Sequence, residues 1–222
     1  MLKKTLYAVL AMLLLAAALA TAFYALGYYN FKSLTVSNLL FEGKIALVPL
    51  AGVDESSWEV RLIKSQIEDT YGFEVDVLYR QEMPERAFYS PNGLYRASQV
   101  LSHLAAAMPD GYDKVIGVTD SGIFTTTDVV YDRAVIGLSQ QGREACVVST
   151  YWLKVKKITG GQYERRLSKS SLHELGHTLG LPHCDNTPSC FMTDARGQAE
   201  TIDSEDIALC GSCKRLISFT QR

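Results

Sequence analysis

Two rhythms of apolar and polar positions run along this chain, and the changes between them mark its elements. Lys44–Leu50 (KIALVPL) is a short apolar run and predicts a buried strand. Asp54–Ser57 offers several helix N-caps. From Trp58 to Tyr71 apolar residues recur at helical spacing through Val60, Ile63 and Ile67, until Gly72 ends the helix. Phe73, Val75, Val77 and Tyr79 alternate with Glu74, Asp76 and Arg80, the mark of a half-buried strand. Arg96–Met108 predicts a second helix, stopped by Pro109. Lys114–Thr119 and Ala134–Leu138 predict further strands, Ile123–Tyr131 a Thr- and Val-rich edge strand, and Ala145–Val155 another extended segment. Tyr163–Gly180 predicts a long helix and Ser204–Cys210 a short final one. Strands alternating with helices imply an α/β fold with a mixed, mostly parallel sheet packed on helices.

Composition changes this picture at one end only. The 222 residues carry a net charge of −2 with no long basic run, so nucleic acid is not expected as a partner. At the N-terminus, Lys3 and Lys4 precede an uncharged apolar stretch, Thr5–Tyr29. As a helix it would be long enough to cross a hydrocarbon core of about 30 Å. The basic start favours an N-terminus-in signal anchor, which would tether the rest to a membrane on its non-cytoplasmic side. The competing reading is a cleaved signal peptide and secretion, because Ala18, Leu19 and Ala20 form an A-x-A-like site. Continued apolar character through Phe23, Tyr24 and Leu26 favours the anchor. The expected organisation is a signal anchor or transmembrane segment over 1–30, a linker over 31–43, and one domain over 44–222.

Chemistry is concentrated in HELGHTLGLPH, His173–His183, an HExxHxxGxxH pattern. His173 and His177 are one helical turn apart on the same face, so both imidazoles can reach one metal ion. Gly180 can take the left-handed conformation that ends a helix, and Pro182 cannot continue one, so His183 can return to the same ion. Three protein ligands leave an open position for water, as in catalytic zinc sites. Zinc lowers the pKa of its bound water to about 7, and Glu174, beside the first ligand, is placed to act as general base and then general acid. The reaction class is amide hydrolysis on a peptide or protein substrate. The rivals are a non-catalytic, zinc-stabilised module that binds peptides or partners, and a zinc amidase acting on non-protein substrates.

Cys184, Cys190, Cys210 and Cys213 follow closely, the last two as CGSC. They suit a tetrahedral structural zinc or, in an exported domain, two disulfides. Cys146, in the apolar run ACVVS, reads as a small buried hydrophobe. His103, alone in mid-helix, is assigned no role, and Asp120 and Asp128 could contact substrate or close turns, turn closure being favoured.

HELGHTLGLPHC, followed by CFM and CGSC, resembles the archaemetzincin (archaelysin) family of zinc metalloproteases. Weaker echoes lie in DKVIGVTD and AVIGLSQQGREACVVSTYWL, so the likeness runs from about Lys44 onward. One departure is that five residues, Asp185–Ser189, separate the first two cysteines where the family pattern has four. The resemblance implies two zinc ions: a catalytic one on His173, His177 and His183 with Glu174 as base, and a structural one on Cys184, Cys190, Cys210 and Cys213. It also implies that Met192 is the methionine of a Met-turn, an apolar floor beneath the catalytic metal, and that the fold is metzincin-like.

Overall fold

The computed structural model describes residues 43–126, 132–154, 158–196, 199–204 and 206–220. The segments read as anchor and linker, apart from Gly43, lie outside these residues. Strand β1 (Lys44–Pro49) is followed by α1 (Trp58–Tyr71) and β2 (Glu74–Val77). A 3-10 turn at Glu85–Ala87 leads into the short strands β3 (Phe88–Tyr89) and β4 (Leu94–Arg96), then α2 (Ala97–Ala107). Strands β5 (Lys114–Thr119), β6 (Ile123–Thr125), β7 (Arg133–Val135), β8 (Gly137–Ser139) and β9 (Ala145–Ser149) precede α3 (Thr150–Leu153) and α4 (Gly160–Thr178). The helices α5 (Ala199–Asp203) and α6 (Gly211–Thr220) complete the described chain.

The main sheet has the order β2-β1-β5-β9-β8, parallel except for the β8–β9 pair. This is the expected mixed, mostly parallel sheet. Alternate residues of its central strands bury on opposite faces. Ile45, Leu47, Ile116, Val118, Cys146 and Val148 meet α1 and α4, while Ala46, Val48, Val115 and Val147 meet α2. Both faces are covered, which is why these strands read as continuous apolar runs rather than as alternation. Helix α1 follows its sequence signals closely. Ser57 Oγ caps Val60 N at 3.3 Å, Val60, Ile63, Ile67 and Tyr71 are buried, and Gly72 closes the helix at φ 72°. Cys146 is buried in β9, as the apolar run implied.

Several expectations need correction. Ile123–Thr125 is not a free edge, because β6 pairs with β4 on one side and β7 on the other in a second sheet of order β3-β4-β6-β7. The expected strand Ala134–Leu138 is two strands. The chain passes from the small sheet to the main one at Ile136, whose carbonyl accepts from Ser149 N at 2.7 Å. The segment after Ser149 is helical, with Ser149 Oγ capping Tyr151 N. The expected helix over Ser204–Cys210 is not found among its described residues; the last helix starts at Gly211, with Lys214 N donating to the Cys210 carbonyl at 3.0 Å. The membrane-anchored placement, with export after cleavage near Ala20 as its alternative, is not upheld. Among the described residues no helix is long and apolar enough to cross a membrane. The longest, α4, has 19 residues and carries Arg165, Arg166 and Lys169 within it.

Candidate active site

Helix α4 is fixed at both ends by local chemistry. Thr159 and Gln162 form a reciprocal capping box, with Gln162 N donating to Thr159 Oγ1 at 3.2 Å and Thr159 N donating to Gln162 Oε1 at 3.1 Å. At the other end Gly180 adopts φ 92°, Gly180 N donates to His177 O at 2.9 Å, and Leu181 N donates to Gly176 O at 3.0 Å. This Schellman closure needs the left-handed glycine and reverses the chain, which brings His183 back over the last turn of α4.

His173, His177 and His183 converge. Their ligand atoms lie within 4.8 Å of one another, and the Nε2 atoms of His173 and His177 are 3.0 Å apart. Each helical imidazole is oriented by a carbonyl. His173 Nδ1 is 2.7 Å from Phe191 O, and His177 Nδ1 is 2.7 Å from Leu181 O. A proton on Nδ1 satisfies the carbonyl and leaves the Nε2 lone pair facing the common centre. Burial lowers both pKa values to about 4, so both rings are neutral at pH 7. Tetrahedral zinc with Zn–N bonds of about 2.0–2.1 Å has N···N edges of about 3.4 Å, and these side chains fit that size.

Glu174 faces the neighbouring strand. Ser139 Oγ on β8 donates to Glu174 Oε2 at 2.5 Å. Burial raises the Glu174 pKa, and the Ser139 bond opposes the rise. The strand comes so close because Gly137 has no side chain. A Cβ there would lie 2.5 Å from Glu174 Cγ and 2.7 Å from Oε1. Gly176 plays the same part beneath the histidines, where a Cβ would lie 2.6 Å from Met192 Sδ and 3.0 Å from Tyr71 Oη. Met192 is fully buried at that contact.

The four cysteines form a second cluster. Their sulfurs also lie within 4.8 Å of one another, with Cys184–Cys210 at 3.6 Å and Cys190–Cys213 at 3.9 Å. All are free thiols rather than disulfides. A tetrahedron with Zn–S bonds of about 2.3 Å has S···S edges of about 3.8 Å, which these separations match. Cys210 N–H points at Cys190 Sγ at 3.4 Å. Burial would raise Cys210, but N–H groups of Cys213 and Ser212 and neighbouring thiols outweigh it and bring its pKa to about 7. The two clusters share one loop. Cys184 follows His183 directly, and its N–H donates to Met192 O at 2.8 Å.

A cavity of about 260 Å³ opens beside the imidazoles, walled by β7–β8, α4 and the segment after Met192. Arg166, buried in α4, is bidentate to Asp203 at 2.8 and 2.7 Å and so fastens α5 to this wall. The structure brings His173, His177 and His183 together in one group and Cys184, Cys190, Cys210 and Cys213 together in another, with Met192 at Gly176 beneath the imidazoles. His103 lies apart on α2, 3.2 Å from Gln81 Oε1, and Asp120 packs against Gly52, while Asp128 lies outside the described residues. Sequence reasoning missed Gly137, Ser139 and Gly176. Gly176 carried a faint signal, as a glycine inside a helix; the other two lay within the weaker family echo AVIGLSQQGREACVVSTYWL, which singled out neither.

An α/β layer structure with three convergent imidazoles, a glutamate beside them and a methionine below defines a metallopeptidase of the metzincin type. Comparison with known proteins agrees. Residues 53–218 match the model of Peptidase family M54. The archaemetzincin of Halobacterium salinarum is 32% identical over 183 residues, spanning 78% of this chain and 99% of that protein. That of Natronomonas pharaonis is 34% identical over 166 residues, 71% and 90% of the two chains. Among solved structures, archaemetzincin from Methanopyrus kandleri has a TM-score of 0.69 at 28% identity, covering 80% of this chain and 94% of its own. A zinc-dependent peptidase from Methanocorpusculum labreanum shares the fold, with a TM-score of 0.66 at 22% identity over 78% and 99%. The chain belongs to the archaemetzincin family, peptidase family M54, and is a zinc metallopeptidase.

Proposed function

We propose that the domain over residues 44–222 hydrolyses peptide bonds with Glu174 as its proton carrier, and that it holds two zinc ions. His173, His177 and His183 would hold the catalytic ion, and Cys184, Cys190, Cys210 and Cys213 a structural one. The observation that carries this reading is the half-buried Glu174 beside three convergent imidazoles, two of which, His173 and His177, have Nδ1 on a carbonyl and Nε2 turned to the common centre. When bound, a catalytic zinc supplies Lewis acidity and lowers the pKa of a coordinated water to about 7.

The chain's own residues do the rest. Glu174 takes the proton of the attacking water and delivers it to the departing amine. Its burial raises its basicity toward the value that task needs. Ser139 holds the carboxylate in one rotamer, so it does not swing away between the two transfers. β8 is the outer strand of the main sheet and lines the cavity. An extended peptide added to it would make backbone hydrogen bonds and lie over the imidazoles. Met192 and Gly176 give the histidines a rigid apolar floor.

Metal analysis of the purified chain and a peptide-library digest test this together, each run on the parent and on Glu174→Gln. We expect about two zinc ions per chain in both proteins and a fall in turnover of about 10²–10⁴-fold in the variant. Undiminished hydrolysis by Glu174→Gln would overturn the proton-carrier role, and one zinc or fewer would overturn the two-site assignment.

A further inference from the structure

We propose that the end of the cleft next to His173 is a carboxylate-binding subsite, built by Arg133, Arg196 and Ser170. It would direct cleavage to peptides with an acidic group on the C-terminal side of the scissile bond. This deepens the peptidase reading above and rests on it.

Three walls of the cavity supply these residues. Arg133 comes from β7, Ser170 from α4 one turn before Glu174, and Arg196 from the segment after Met192. The Arg133 guanidinium donates to the Arg196 carbonyl and so bridges two of these walls. That bond uses one of its five N–H donors. The Arg196 guanidinium has no hydrogen-bond partner among the described residues, and no described carboxylate pairs with either arginine. Asp194 lines the same wall, but its Oδ1 accepts from Arg196 N at 2.7 Å. Lys169, also at the cavity, is buried with its Nζ on Ile202 O and adds a third positive charge nearby. Apart from Glu174, the lining thus holds three cations against one carboxylate.

An independent observation points to a ligand. Ser170 is 5% exposed, lines the cavity, and its hydroxyl has no hydrogen-bond partner among the described residues. A buried hydroxyl left unpaired is costly, and an acceptor entering the cavity would relieve it. Guanidinium groups with open donors and a waiting hydroxyl are the complement of a carboxylate, which accepts at both oxygens.

Direction depends on how the peptide pairs with β8, and the proposed pairing is antiparallel, the way β8 itself pairs with β9. A peptide added antiparallel to β8 runs from the Ser139 end toward the Gly137 end and on toward Arg133. Its C-terminal half therefore approaches the arginines. The carboxylate would come either from an Asp or Glu side chain or from the peptide's own C-terminus.

The test uses the full chain loaded with zinc and quenched fluorogenic peptides identical except for Glu, Gln or Lys just after the scissile bond. Each is made with a free and with an amidated C-terminus. We expect kcat/KM to favour a carboxylate-bearing peptide by about tenfold or more. Persistence of the preference in amidated peptides identifies the side chain as its source; its loss on amidation identifies the C-terminus. The ratio should fall to near one in Arg133→Gln/Arg196→Gln and invert toward Lys in Arg133→Glu/Arg196→Glu, a switch that mere loss of structure would not produce. Binding of the same peptides to Glu174→Gln, followed by fluorescence anisotropy, should show the same order. Equal rates and equal binding for Glu and Gln peptides with either C-terminus, or a ratio unchanged by the double variants, would overturn the subsite. If no peptide is hydrolysed but the binding order holds, the subsite stands and the peptidase mechanism falls.

Discussion

Replacing Gly176 by alanine isolates the packing beneath the three imidazoles, because the same change elsewhere on the same helix meets nothing. A Cβ at Gly176 would lie 2.6 Å from Met192 Sδ and 3.0 Å from Tyr71 Oη, whereas one at Gly161 meets no atom within 4 Å. Intrinsic propensity favours alanine over glycine in a helix by about 1 kcal/mol. Against this, Met192 is fully buried and cannot swing away, so overpacking costs about 1–3 kcal/mol. Displacing Tyr71 also threatens its 2.7 Å bond to Leu172 O, worth about 1 kcal/mol net. The net for Gly176→Ala is a loss of about 1–3 kcal/mol. A domain of this size moves about 2–4 °C per kcal/mol, so Tm should fall by about 3–10 °C. Gly161→Ala should hold or raise Tm by a degree or two, on the order of its propensity gain. Scanning calorimetry of zinc-loaded parent and variants reads both. If Gly176→Ala melts no lower than Gly161→Ala, the close approach of helix and methionine is not the constraint described.

Two further outcomes follow from the same geometry. Gly137→Ala drives a Cβ into the Glu174 carboxylate and should cut turnover by about a hundredfold, the scale of a misplaced catalytic group, with zinc content unchanged; unchanged turnover would refute the contact. His173 and His177 have pKa values lowered by burial from 6.5 to about 4, so the unfolded chain binds protons that the folded one refuses. Stability of chelator-treated protein should therefore be complete above about pH 6.5 and decline as pH falls toward 4, by a few kcal/mol in all; a flat urea midpoint between pH 7 and 5 would contradict this.

The convergence of the imidazoles was legible in the sequence because local rules govern it. One helical turn separates His173 from His177, and Gly180 at φ 92° reverses the chain by local hydrogen bonds alone. The central strands were legible for a similar reason, since burial on both faces leaves a continuous apolar run. What failed depended on distant partners. Nothing in Ala134–Leu138 marks Ile136 as the crossing point between two sheets, because the bond that fixes it comes from Ser149. Ile123–Thr125 reads as an edge until β4 and β7 are seen on either side of it. Ser204–Cys210 has helical composition, but its backbone is committed to distant partners, Asp206 N donating to Ser189 O and Cys210 N pointing at Cys190 Sγ, and the helix starts only at Gly211. Ser139 was invisible because an isolated serine on a short strand has no pattern to announce its carboxylate.

The central claim is that three imidazoles and four thiols form two separate zinc sites within one loop of each other. Zinc K-edge absorption on the purified chain tests it most directly. Two zinc ions per chain and two resolved shells are expected, sulfur at about 2.3 Å and nitrogen or oxygen at about 2.0 Å, with comparable numbers of scatterers. A single zinc with an all-sulfur shell would leave the imidazoles without metal and contradict the account.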